Sequence, residues 1–274
     1  MVTIHAPEGG AAPDMKETSV DFYFFSGTGN TLLAARAVTR GLREGGKDVR
    51  LRRLEKGFVP FRDGDTALGI AVTVAMFSTY PFAWDFLESL PDGEGRGAFL
   101  ISTMGGASGG LRPAVKKLLV SKHYTPLGAR DFVMPSNYNN ITISLEKNRE
   151  KTERMEKNAA AFADALLEGN APWKGGNVLS PLLYRLSRRQ WPWKLMSRKF
   201  HLEVDRAKCI KCGKCARLCP AKNIRMEEYP EFLDRCVSCQ RCIAFCPPAA
   251  IGVQGKNYQQ YRSEEYGDLV SENL

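Results

Sequence analysis

VDFYFFSGTGNTLLAARAVTRGLREGG, residues 20–46, decides the architecture of the N-terminal part of the chain. The apolar run 20–25 suits a strand buried on both faces, as in a parallel sheet. A turn of glycine, hydroxyl and amide residues follows at once. Residues 32–44 then read as an amphipathic helix, stopped by Gly45 and Gly46. Strand, Gly/Thr/Asn turn and helix bring the free N–H groups of a helix start to the carboxyl end of a strand, where α/β folds bind phosphate. The residue types narrow the ligand. No Gly-Lys-Ser/Thr ending is present, which excludes a nucleoside triphosphate loop, and the three glycines of a dinucleotide loop are missing. Ser26, Gly27, Thr28, Gly29, Asn30 and Thr31 offer hydroxyls and backbone amides without a cation, a set suited to one terminal phosphate monoester.

Working outward, residues 48–54, 66–75, 97–103 and 127–133 read as further strands, and 83–90, 111–122 and 145–167 as helices. The loop 26–31 is similar to the phosphate loop of flavodoxins. The resemblance implies an α/β doubly wound parallel sheet of order 2-1-3-4-5 that binds FMN at the switch point between the first and third strands. It also implies that two loops at the same sheet edge flank the flavin ring. One is Phe77, Ser78, Thr79 and Tyr80, where Phe77 or Tyr80 would stack on the ring. The other is Thr103, Met104, Gly105, Gly106, Gly109 and Gly110, glycine-rich where ordinary flavodoxins place an aromatic and acidic residues.

All eight cysteines lie in the C-terminal part, as Cys209-x2-Cys212-x2-Cys215-x3-Cys219-Pro220 and Cys236-x2-Cys239-x2-Cys242-x3-Cys246-Pro247. Each is the C-x2-C-x2-C-x3-C-P run of two-cluster ferredoxins. Three thiolates three residues apart wrap a tight loop around one cubane, and the fourth points across the domain to the other. Cluster one is expected to use Cys209, Cys212, Cys215 and Cys246, and cluster two Cys236, Cys239, Cys242 and Cys219. The run is an internal repeat: 209–224 aligns with 236–251. A disulfide framework would need an oxidising compartment. Zinc favours two separated CxxC pairs without the third cysteine and the Cys-Pro step.

A flavodoxin-like domain followed by a bacterial-type two-cluster ferredoxin domain resembles the flavodoxin–ferredoxin fusion proteins of anaerobic prokaryotes. The expected organisation is a disordered segment 1–18, a flavodoxin-like domain 19–170, a basic and aromatic linker 171–203, a small α+β ferredoxin domain 204–254 and a polar surface tail 255–274. The formal net charge of +9 is concentrated in the linker, where seven Lys/Arg face a single acid. Its stretch 174–200 interleaves basic and aromatic residues. Three roles are open to it: packing the domains together, docking an acidic redox partner, or touching an anionic membrane. Nothing else in the chain points to nucleic acid. No apolar run approaches the roughly 20 residues of a membrane span, and a soluble cytoplasmic protein is expected. The three histidines are scattered and no catalytic set stands out. The leading expectation is an electron-transfer protein linking two [4Fe–4S] clusters, FMN and an external redox partner protein. The alternative is a flavin-dependent reductase or dehydrogenase of a small molecule, with the clusters as its wire.

Overall fold

The structure is a computed structural model that describes residues 14–62, 64–106, 109–136, 144–173, 180–256, 259–264 and 267. Of the expected segments, 1–13, most of the tail beyond 264, Lys174 and the 107–108 portion of the glycine-rich loop lie outside those residues.

The N-terminal domain alternates β1 (Ser19–Phe24), α1 (Asn30–Glu44), β2 (Asp48–Arg53), β3 (Thr66–Thr73), α2 (Pro81–Ser89), β4 (Gly97–Met104), α3 (Leu111–Ser121), β5 (Thr125–Val133) and α4 (Leu145–Leu167). The five strands form one parallel sheet of order β2-β1-β3-β4-β5, the flavodoxin-like order. Alternation along β1 explains why its apolar residues serve both faces; its one acid, buried Asp21, pairs with Arg52 at 3.0 Å. Val20, Phe22 and Phe24 face α1 and α4, whereas Tyr23 and Phe25 enter the opposite layer with Leu68, Ile70 and Trp84. Helices cover both faces, so neither set of side chains meets water. Packing begins ahead of β1: Met15 is buried, and Lys47 Nζ donates to the carbonyls of Met15 and Glu17.

The linker holds two helices, α5 (Ser180–Ser187) and α6 (Gln190–Lys199). Their inner sides pack on the N-terminal domain. Tyr184 meets Trp84 edge-on at 5.0 Å, Trp193 lies 5.8 Å from Tyr80, and Arg188 pairs with Glu88 at 2.6 Å. Met196 of α6 packs against both the N-terminal core and the cysteine-bearing core, so domain packing is one role the linker plays.

The C-terminal domain contains β6 (Leu202–Val204), α7 (Lys214–Leu218), β7 (Ile224–Met226), β8 (Pro230–Phe232), α8 (Arg241–Ala244) and β9 (Ile251–Val253). Two antiparallel ribbons, β6–β9 and β7–β8, flank the cysteine loops. The sequence repeat is also a backbone repeat. Non-glycine residues with positive φ recur at Lys211 and Ser238, and at Lys222 and Ala249, while Gly213 and Gln240 cap α7 and α8 in the left-handed conformation. Such conformations are costly for residues with a side chain. Their recurrence at matched places in both cysteine loops marks a shape that those loops require.

Candidate functional site

The carboxyl ends of β1, β3 and β4 open onto a cleft of about 370 Å³, within the range of small-molecule sites. Ser26, Gly27, Thr28, Asn30 and Thr31 form one wall. Phe77 and Tyr80 come from the loop after β3, and Thr103, Met104 and Gly105 from the end of β4. Val237, Ser238 and Cys239 of the second cysteine loop close the far side. The phosphate-type loop is built to hold its shape. Gly29 N–H donates to Ser26 Oγ at 3.1 Å. Thr31 Oγ1 lies 2.9 Å from Thr73 Oγ1 and 2.7 Å from Thr103 Oγ1, tying the start of α1 to the ends of β3 and β4. Among the described residues, no charged side chain lines the cleft. An anion there would meet hydroxyls, amides and the positive end of α1.

The residues read from the sequence divide into lining and support. Ser78 accepts from Trp84 Nε1 at 3.1 Å, and Thr79 Oγ1 donates to the Thr73 carbonyl at 2.9 Å. Both are buried behind the wall rather than lining it. Gly109 has φ of 60°, and a Cβ there would sit 2.4 Å from the Phe77 carbonyl. The Gly110 N–H donates to that same oxygen at 2.8 Å. These two glycines brace the Phe77 turn, and Gly106 faces open space. Within that turn Met76 and Phe77 both have positive φ, and Phe77 is exposed. Tyr80, by contrast, is locked among Phe25, Phe82 and Trp193.

The glycines of the 26–31 loop have a further reason to be glycine. A Cβ on Gly27 would stand 2.2 Å from the Cys239 carbonyl oxygen, so the cysteine loop approaches this residue's bare face. Gly29, at φ of 105°, lies against the backbone of Glu264. The described part of the tail crosses this loop. Ser263 N–H donates to the Thr28 carbonyl at 2.9 Å, Tyr261 OH donates to Asn30 Oδ1 at 2.7 Å, and Glu264 pairs with Arg36 at 2.6 Å. Gln260 reaches back to the carbonyls of Ile243 and Cys246.

Arg241, between Cys239 and Cys242, joins the domains. It is 1% exposed. Its Nε and Nη2 donate to the Ser26 carbonyl at 3.0 and 2.7 Å, Nη1 pairs with Glu55 at 2.5 Å, and the guanidinium lies 4.4 Å from the Phe25 ring centroid. Sequence reasoning missed it. The available signal was that Lys214, its counterpart in the first repeat, is also basic.

The eight thiols line two cavities in the crossed sets expected from the spacing. Cys209, Cys212, Cys215 and Cys246 line the outer one; Cys219, Cys236, Cys239 and Cys242 line the inner one. Among the described residues, no three His, Cys, Asp or Glu side chains converge as they would on a single metal ion. Backbone N–H groups of Asn223 and Ala250 donate to Cys219 and Cys246 Sγ, both at 3.2 Å. Such bonds stabilise thiolate and tune a cluster's potential. Burial pushes the Cys239 thiol up to about 12 and raises Cys242 as well. Free thiols there stay protonated, and a bound metal removes the proton. Donor set, left-handed loops and amide-to-sulfur bonds all fit iron–sulfur ligation.

Residues 201–247 match the family model of the 4Fe-4S dicluster domain. Comparison with curated proteins finds no match. Among solved structures, a flavodoxin from the domain Archaea is similar at 14% identity, covering 54% of this chain and 98% of its own, with a TM-score of 0.38. Megasphaera elsdenii flavodoxin gives 23% identity, 50% and 98% coverage and a TM-score of 0.33. The general stress protein 14 of Treponema denticola, solved in complex with FMN, gives 14%, 54% and 99%, and 0.34. From its own strand order and its matched cysteine region, the chain joins a flavodoxin-like domain to a 4Fe-4S dicluster domain, and its role is a redox one.

Proposed function

We propose that the chain is an electron-transfer protein of the cytoplasm, where thiols stay reduced, passing electrons between two [4Fe–4S] clusters, FMN in the cleft and an external redox partner protein. The observation that carries this reading is a shared wall: Val237, Ser238 and Cys239 line both the cleft and the inner thiol cavity. FMN supplies storage for one or two electrons, and each cluster passes them singly. The chain's own residues do the positioning. The amides and hydroxyls of 26–31 receive the phosphate, and exposed Phe77, held in its turn by Gly109 and Gly110, is placed to stack on the ring. Gly27 lets the inner cysteine loop approach, and Arg241 holds it there. At the other end Cys212 and Ile210 are exposed, giving the partner access to the outer cluster.

Anaerobic purification with iron, sulfide and flavin counted per chain tests the reading. About eight iron and one FMN are expected. Two zinc without sulfide would overturn the cluster assignment. Thr28→Asp should expel flavin by setting negative charge against its phosphate, and full retention would overturn the loop assignment.

One observation favours a second reading as a small-molecule reductase. Gly105 lines the cleft without a side chain to fill it, which leaves room for a substrate. Turnover of an organic substrate without any protein partner would distinguish it.

A further inference from the structure

The outer sides of α5 and α6 remain after their inner sides are packed. On α5, Leu182, Arg185 and Leu186 stand at helical spacing of three and four, all exposed. On α6, Trp191, Lys194, Leu195 and Arg198 repeat the pattern over two turns, all exposed. Leu182 is 56% exposed, Leu186 42%, Trp191 57% and Leu195 60%. Four large apolar side chains this open stand together on the two helices, and they are interleaved with cations on the same faces rather than separated from them. No ion pair among the described residues engages Arg185, Arg189, Lys194, Arg198 or Lys199. The linker's one acid, Glu203, lies beyond α6.

We infer that this outer face of α5 and α6 is an interfacial surface that rests on an anionic lipid membrane. The interleaving decides between occupants. A rigid protein surface that covered Trp191 and Leu195 would also desolvate Lys194 and Arg198 between them, and each would then need its own acid at a fixed place. A lipid interface makes no such demand. Leu and Trp sink below the headgroups while the long basic stems lift their charges to the phosphates, which move laterally to meet them. The cations add attraction to anionic headgroups. Among the described residues no helix is long and apolar enough to cross a membrane. The contact is one of lying on the surface.

The test is co-sedimentation of the full-length, cluster-loaded protein with vesicles of phosphatidylglycerol and phosphatidylcholine, against phosphatidylcholine alone, at rising salt. Binding is expected to the anionic vesicles and to weaken with salt. The double changes W191S/L195S and R189E/K194E should each lower partitioning roughly tenfold, with iron content unchanged as the check on folding. Failure of the wild-type protein to bind anionic vesicles would overturn the inference. So would wild-type binding by W191S/L195S, which would mean adsorption by charge alone. It would also fall if R189E/K194E slowed reduction of an acidic electron carrier while vesicle binding was unaffected.

Discussion

The two domains hold themselves together by different means. The N-terminal domain buries a five-stranded sheet on both faces, with Phe22, Phe24 and Phe99 in one layer and Tyr23, Trp84 and Leu100 in the other, and it contains no cysteine. The C-terminal domain has strands of three residues. Its core is a short set, among them Leu202, Ile224, Ile243 and Ile251, and cysteines sit inside that same core. An apolar core this small stabilises little without cross-linking by metal. In one domain burial makes the fold and the fold makes a cleft. In the other, ligation is part of the fold.

Breaking that comparison most strongly, removal of iron by a chelator under reducing conditions should unfold 201–256 while 14–173 stays folded. Near-ultraviolet circular dichroism and limited proteolysis would read this directly. Loss of both domains together would mean that the N-terminal core depends on the cluster domain.

The next largest effect concerns what joins the two. Arg241→Leu leaves Glu55 and the Ser26 carbonyl without their buried donor. Breaking a buried pair in this way costs about 3–5 kcal/mol. A single unfolding transition of the loaded protein should separate into two. Gly27→Ala acts on the same contact from the other side. Its Cβ would collide with the Cys239 carbonyl, an overpacking cost of about 1–3 kcal/mol. The sheet should be unaffected, and hydrogen exchange should rise in 236–244.

The smallest effect is at the tail. Burial pushes the Tyr261 phenol from 10.0 up to about 12, so the folded state favours the protonated form that donates to Asn30. Its contribution is complete below pH 10 and is lost as pH rises through about 12. Comparing unfolding midpoints of wild type and Tyr261→Phe across that window should show the gap closing as pH rises. A gap that widens would contradict the burial of the phenol.

What was legible in the sequence follows the same division. β1, its loop and α1 were legible because burial on both faces leaves an apolar run, and a helix start needs small polar residues. The crossed thiol sets were legible because repeated spacing fixes them. The contact between the domains was not. Arg241 meets a carbonyl 215 residues away, and no local period marks such a partner. Gly27 and Gly29 read as phosphate-loop glycines, yet their bare faces lie against Cys239 and Glu264, which only the assembled fold brings near. Ser78, Thr79, Gly109 and Gly110 read as lining because they sit in the right loop. Their hydrogen bonds and backbone angles turn them into its supports.

In the proposed function, cleft and clusters form one electron path inside a single chain. Pulse delivery of one electron to the FMN- and iron-loaded protein, with flavin and cluster absorbance followed at several protein concentrations, tests it most directly. The account predicts transfer between the two cofactors at a first-order rate independent of concentration, slowed in Arg241→Leu. A rate proportional to protein concentration, or no transfer at all, would contradict it.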